Sequence, residues 1–316
     1  MTTSAPVSVV IPTVGRPGID KTIESVAQQT AAVEQIIVVA DGPLSPPMLT
    51  NIENSLDRHR FRSATLLQAE RPAGACAARN LGLEASTSRY VAFLDDDDWL
   101  LPRKMSMQIE ILDSSPDPRL IVAGQALYRR VGTKQSVAPA VTYRGDRSLA
   151  EYLFARRKIS LGRNLIPTPT WLLSRTHAHD VGWNDALSRH QDWDFLLRSE
   201  QLGGTVVQLA EPVAVVWQES AHSITSTPMA RPSMDWATGW RDQWSEQLFL
   251  EFVWSQPLRY ALQARDWATA KAILSEAGQR LPPSWSAFVM AASGAVGRRR
   301  SFELLEALDS LRRQRS

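Results

Sequence analysis

Short, mostly apolar runs without polar alternation punctuate the first part of the chain. Ser8-Val9-Val10-Ile11 is the first and is expected to stop at Pro12; Gln35-Ile36-Ile37-Val38-Val39 is the second, stopping at Asp41-Gly42. Ala64 to Leu67, Tyr90 to Leu94 and Leu120 to Ala123 follow. Such runs suit strands covered on both faces, as in a parallel sheet. The stretches between them read as helices: Ile19, Ile23 and Val26 recur at helical spacing, a polar helix follows Pro47, and the small residues of Gly74 to Ala85 suit a closely packed one. Alternation of this kind predicts an α/β domain with crossover helices.

After about residue 126 the pattern is mixed. A helix from His190 to Gln201 and strands at Val206-Val207 and Val213 to Trp217 stand out. Beyond Pro232 the reading is almost wholly helical. Trp236, Trp240 and Trp244 fall at i, i+4 and i+8, which on one helix would put three indoles on one face. Tyr260 to Pro283 reads as an antiparallel helix pair resembling a single tetratricopeptide unit, too little for a solenoid. Three parts are therefore expected: residues 1–125 and 126–230 as two halves of one domain, and 231–316 as a helical extension.

With 316 residues and 44% hydrophobic content, the chain can bury one large core plus an appendage. Its formal net charge of +2 argues against nucleic acid as a partner. The single cysteine, Cys76, excludes an internal disulfide and a multi-cysteine zinc site. The N-terminus lacks the basic start and apolar stretch of a signal peptide, and no run approaches eighteen apolar residues. A cytoplasmic protein is expected. Arginines outnumber acids beyond Met290, which leaves peripheral contact with anionic lipid open beside a plain solvated helix.

The most telling residues are Asp95, Asp96, Asp97 and Asp98, directly behind the run Tyr90 to Leu94 and in front of Trp99-Leu100. Acidic runs are often solvated turns, but these flanks are apolar. Adjacent carboxylates repel, so a cluster there calls for a cation or a shifted proton. If the segment stays extended, Asp95 and Asp97 share one side. Oxygen ligands of that kind suit Mg2+ or Mn2+.

Several strand ends carry further candidates, and open α/β sheets bind ligands at those ends. The segments Val9-Val10-Ile11-Pro12-Thr13, Ile36 to Gly42, Gly74-Ala75-Cys76-Ala77-Ala78-Arg79-Asn80-Leu81-Gly82, Phe93 to Asp98, and Val181-Gly182-Trp183-Asn184-Asp185 with Gln191-Asp192-Trp193-Asp194 occur in that order. Together they resemble the family 2 glycosyltransferases. The resemblance spans about residues 7 to 225. It implies a GT-A type fold, that is, a mostly parallel central sheet with flanking helices, here followed by a C-terminal helical appendage.

The resemblance also implies roles. Pro12, Thr13 and Arg16 would line the nucleoside pocket, and Asp41 would accept from the base, most simply the imide N–H of uracil. The family usually has two acids at that point, and here the first is Ala40, which leaves the base open with a UDP-sugar favoured. Arg79 would lie near base or diphosphate; the alternative is a surface pairing with Glu84. Asp97 and Asp95 would hold Mn2+ or Mg2+, with Asp96 at the ribose, Asp98 bracing the turn and His222 as a candidate third ligand. Asp192, opening a helix, would be the general base of an inverting transfer to a hydroxyl on a glycan, a lipid-linked or a small-molecule acceptor. The family's Glu-Asp is Gln191-Asp192 here. Asp194 is a competitor, and a helix N-terminal carboxylate is the bland role for Asp192.

Two other functions remain to be weighed. A sugar nucleotidyltransferase shares strand-end carboxylates and a metal, although Gly15-Arg16-Pro17-Gly18 is a poor version of its glycine-rich loop. A non-catalytic module could use the tryptophan-rich helices to hold a carbohydrate or protein, and those helices could also join copies of the chain.

Overall fold

The computed structural model describes residues 4–59, 61–129, 135–156, 164–217, 229–278 and 281–296. The chain divides into two compact units, Met1–Asp146 with Leu165–Ser220, and Arg147–Asn164 with Ala221–Ser316.

The first unit is built on β1 (Ser4–Thr13), α1 (Ile19–Ala27), β2 (Ala32–Ala40), α2 (Pro46–His59), β3 (Ser63–Gln68), α3 (Ala75–Glu84) and β4 (Tyr90–Phe93). The short β5 (Trp99–Leu100), α4 (Lys104–Ser114), β6 (Leu120–Arg129) and β7 (Ser136–Ala138) follow. The sheet runs β3-β2-β1-β4 in parallel. Its apolar runs are buried on both faces, with Val7, Val9, Val10, Ile11 and Ile36 to Val39 sealed from solvent. That is the α/β architecture expected.

Strand β1 does not stop at Pro12. It runs on to Thr13, with Pro12 opposite Val39 of β2. The β4 side of β1 is paired only as far as Val10, opposite Phe93. Pro12 therefore sits where one flank has no strand neighbour, and its missing N–H costs no ladder bond there.

Beyond α5 (Leu149–Phe154), which belongs to the second unit, the sheet resumes with β8 (Leu172–Ser174), antiparallel to β4 and β6. Helices α6 (Arg175–Val181) and α7 (Gln191–Gln201) lead to β9 (Thr205–Trp217). The two strands expected at 206–207 and 213–217 are this one long strand. It is parallel to β6 and shifts register twice around Gln125 and Pro212, so a proline and an irregularity interrupt the apolar pattern without ending the pairing.

The second unit contains α5, α8 (Ala230–Gly239), α9 (Glu246–Val253), a π-helical turn at Trp254–Leu258, α10 (Arg259–Gln263), α11 (Trp267–Glu276) and α12 (Trp285–Ala295). The tryptophan stripe needs correction. Helix α8 ends at Gly239, and Trp244 is extended because Ser245 starts α9 by accepting from the Leu248 N–H. The three indoles still gather, with Trp236–Trp244 and Trp240–Trp244 ring centroids 5.7 and 6.4 Å apart. Phe154 of α5 and Phe252 of α9 close the cluster, so the stripe is the core of the helical unit.

Candidate active site

The aspartates form a turn, not an extended strand. The Asp98 N–H donates to the Asp95 carbonyl at 3.1 Å, and β5 begins directly afterwards. Exposure still alternates: Asp95 and Asp97 are partly exposed, whereas Asp96 and Asp98 are buried.

The two buried carboxylates are structural fasteners. Asp96 accepts from the Thr13 hydroxyl at 2.6 Å and from the Arg16 guanidinium at 2.7 Å, and its carbonyl accepts from the Thr22 hydroxyl at 3.0 Å. Thr13 also accepts from the Gly15 N–H at 2.9 Å. In this arrangement Thr13 and Asp96 are matched to each other, and Pro12 is buried beside them. Asp98 accepts from the Trp217 N–H at 2.9 Å, tying the turn to the last residue of β9. Burial, then the charges of Asp95 and Asp97, push its carboxyl well above the usual range.

Asp95 and Asp97 each lean on an arginine. Arg16 reaches Asp97 at 3.0 Å, and Arg79 reaches Asp95 at 2.6 Å. Burial works against the Arg16 charge, but Asp96, Asp97 and Asp95 outweigh it and raise its pKa. Asp97 is pushed up to about 6 by burial, with Asp95 and Asp96 adding to this against Arg16. Three carboxylates, those of Asp95, Asp96 and Asp97, thus face two guanidiniums. The surplus negative charge and the pair of accessible oxygen donors fit a hard divalent cation. Among the described residues no three His, Cys, Asp or Glu side chains are grouped to hold a metal. His222 lies outside the described residues.

Arg79 is not a surface residue. It is buried on α3, its guanidinium lies 4.6 Å from the centre of the Trp183 ring, and it also donates to the Gln191 side-chain oxygen at 3.3 Å. Glu84 instead faces His179 at 3.5 Å. The next residue, Asn80, exchanges two hydrogen bonds of 2.8 Å with the Trp183 main chain. This fixes the Val181–Asp185 segment against α3. Neither Arg79 Nε nor Trp183 Nε1 has a hydrogen-bond partner among the described residues.

Helix α7 starts from His190, a non-glycine residue at φ 62° whose ring stacks on Trp193 with centroids 4.5 Å apart. This bend places Asp192 in the first turn, half-buried. Burial raises the Asp192 pKa, opposed by the main-chain N–H groups of Trp193 and of Asp192 itself and by Arg79, with Asp95 adding to the rise. Asp194, the competitor, is buried and bonded to Arg198 at 2.7 Å, which also donates to the carbonyls of Val181 and Gly182.

At the end of β2, Asp41 accepts from the main-chain N–H groups of Ala73 at 2.7 Å and Gly74 at 3.0 Å, holding the entry to α3. A carboxylate has about four acceptor positions, so these bonds do not exhaust it. Burial pushes the Cys76 thiol up to about 11, with Arg79 opposing, which makes it a packing residue and not a nucleophile.

Lys104 has no signature in the sequence, since no acid stands at pairing distance along its helix. It is buried at the start of α4 and donates to Gln108 at 2.6 Å and to the Trp171 carbonyl at 2.8 Å. Burial lowers its pKa to about 7. The Trp171 ring in turn stacks on Trp183 with centroids 5.9 Å apart.

The family model described as glycosyl transferase family 2 matches residues 8–174, more than half of the chain. The chain belongs to that family. It is therefore a glycosyltransferase, which sets aside the nucleotidyltransferase and the non-catalytic module. Among its relatives is the amylovoran biosynthesis glycosyltransferase AmsB of Erwinia amylovora, 28% identical over 270 residues, covering 82% of this chain and 85% of that protein. An Escherichia coli UDP-Glc:alpha-D-GlcNAc-diphosphoundecaprenol beta-1,3-glucosyltransferase, WfgD, is 34% identical over 94 residues, covering 30% of this chain and 35% of that one. Among solved structures, Staphylococcus aureus TarS in complex with UDP-GlcNAc aligns with a TM-score of 0.62 at 14% identity, covering 93% of this chain and 91% of that one. The family 2 glycosyltransferase fold is thus of the GT-A type, with C-terminal helices. No helix among the described residues is long and apolar enough to cross a membrane.

Proposed function

We propose that this family 2 glycosyltransferase moves a sugar from a UDP-linked donor to a hydroxyl of a glycan or lipid-linked acceptor, with inversion, and that Asp192 is the general base. The observation that carries the reading is the position of Arg79. One guanidinium holds Asp95 at the end of β4 and Gln191 beside Asp192, so the donor-side carboxylates and the proposed base share a single charge network. A UDP-sugar is supported by the relatives: the E. coli enzyme is named for UDP-Glc, and TarS was solved with UDP-GlcNAc.

The chain's own groups then divide the work. Asp41 offers its remaining acceptor capacity to the base. Pro12 would line the nucleoside pocket, Arg16 and Arg79 supply fixed positive charge for a diphosphate, and the two unpartnered donors Arg79 Nε and Trp183 Nε1 suit an oxygen-rich ligand. Asp95 and Asp97 would hold Mg2+ or Mn2+, which supplies Lewis-acid charge for the departing diphosphate, and His222 is the candidate third ligand. Asp192 takes the acceptor proton. Its raised pKa makes it a better base than an ordinary aspartate. Acceptor choice is assigned to residues 126–230 and the helical extension.

Calorimetry with UDP, GDP and dTDP, each with and without Mn2+ or Mg2+, tests the donor reading. Metal-dependent heat with UDP is expected; no heat with any nucleotide would overturn it.

A further inference from the structure

Strand β6 brings a tyrosine to the end of the sheet that carries the aspartate turn. Strand β8 is antiparallel to both β4 and β6, so β6 runs in the same sense as β4, and β9 runs with it. The carboxyl end of β6 therefore lies at the sheet end where β1, β2 and β4 deliver Thr13, Asp41 and the aspartates. Tyr128 is the last residue but one of β6. It pairs with Val216 of β9, and paired residues present their side chains on one face. Strand β5 pairs with β9 as Trp99 opposite Val215 and Leu100 opposite Ala214, a register that sets Asp98 opposite Val216 when continued by one residue. The Trp217 N–H on the Asp98 carboxylate holds the two chains together at that point. Asp98, Val216 and Tyr128 thus form a row across β5, β9 and β6.

Tyr128 is partly exposed, and its hydroxyl has no hydrogen-bond partner among the described residues. Tyrosines set this far into a fold usually spend that donor. Two carboxylates are near enough to act on it: burial raises the pKa of the hydroxyl, and Asp98 and then Asp192 add to the rise. The phenol therefore stays protonated and donates. Asp98 belongs to the diphosphate side of the site, and Asp192 is the proposed general base. In an inverting displacement these two sides lie opposite each other across the anomeric carbon, so a group within reach of both stands beside the sugar being transferred.

We propose that the Tyr128 hydroxyl donates to a hydroxyl on the donor's sugar ring and thereby helps to select which sugar is transferred. The inference rests on the reading of the protein as an inverting enzyme with a UDP-linked donor and Asp192 as base. A bond of this kind reads the presence and direction of one ring hydroxyl: a sugar without it leaves the phenol unpaired. Diphosphate recognition falls to Arg16 and Arg79, so affinity for the nucleotide alone does not depend on Tyr128.

Calorimetry in Mn2+ compares UDP, UDP-glucose, UDP-galactose and UDP-GlcNAc on the full chain and on Tyr128→Phe, which removes one oxygen and keeps the ring. UDP should bind both proteins equally, which also shows that the variant is folded. The UDP-sugar that binds the unaltered chain best should bind Tyr128→Phe about three- to tenfold more weakly, and the preference among the sugars should shrink. Analogues of that donor, each lacking one ring hydroxyl, give a measurement on the unaltered chain. One of them should weaken by the same factor, and Tyr128→Phe should no longer distinguish it from the parent. Unchanged UDP-sugar affinity in Tyr128→Phe, equal weakening of UDP and the UDP-sugars, or indifference of the unaltered chain to every deoxy analogue would each overturn the proposal and leave the donor reading standing. If the unaltered chain binds neither UDP nor any UDP-sugar, the donor reading fails and the proposal fails with it.

Discussion

The Arg79 guanidinium lies 2.6 Å from the Asp95 carboxylate, linking a helix that begins at the end of β3 to the turn that ends β4. The same group covers Trp183 and bonds Gln191, so it spans the proposed donor and acceptor sides. Arg79→Lys keeps the charge but loses the planar fork. It should raise the KM for donor and lower kcat together, by about tenfold each. Arg79→Ala leaves Asp95 without its partner; because Asp95 is partly exposed, the stability loss should be about 1–3 kcal/mol, read from a urea titration. Unchanged kinetics in Arg79→Lys would mean that the bridge is only structural.

Asp192→Asn should bind UDP-sugar as the unaltered enzyme does and lose about 100-fold or more in turnover. In the unaltered enzyme the base acts when ionised. Activity is therefore present above its raised pKa and lost as pH falls through it, so the acid limb of kcat should lie above the ordinary aspartate value of about 4. An acid limb at the ordinary value, or normal turnover in the variant, removes Asp192 from the reaction.

Lys104 predicts a stability effect at the opposite end of the pH scale. Its folded pKa is about 7 against 10.5 ordinarily, so between those values the unfolded chain holds a proton that the native chain has released. Stability should rise with pH across that window. The neutral amine still has two N–H groups for Gln108 and Trp171. Urea unfolding at several pH values should show this rise in the unaltered chain and a flatter profile in Lys104→Met. Parallel profiles would count against it.

Gly82→Ala tests the packing under the site. A methyl group there would stand 2.3 Å from Val10 Cγ1 and 3.1 Å from Val39 Cγ2. Both valines sit in sealed parallel strands and cannot give way cheaply. Destabilisation of about 1–3 kcal/mol or more is expected, measured as a lower denaturation midpoint.

What could be read from the sequence followed the range of the interactions. The buried strands were visible because burial on both faces writes an uninterrupted apolar run. Asp95, Asp97, Arg79 and Asp192 were visible because each stands in a recognisable local string. The partners of Thr13 and Asp96 were not, since their match joins residues 83 positions apart and depends on strand order. Spacing alone puts Trp244 on the helix of Trp236, because it cannot register that Ser245 opens a new one. Asn80 stood in plain view within Arg79-Asn80-Leu81-Gly82, yet only the fold reveals that it meets Trp183.

That last pairing sets a rule for building hybrids of this enzyme. Asn80 donates to and accepts from the Trp183 main chain, a use that needs one side chain with both an N–H and a carbonyl. A graft of residues 175–201 from a relative brings the same main-chain N–H and carbonyl whatever side chain but proline stands at position 183, so the host's own Asn80 can receive it. A transplant should therefore preserve Asn80 and the path of the chain at position 183, and is free to vary the side chain there.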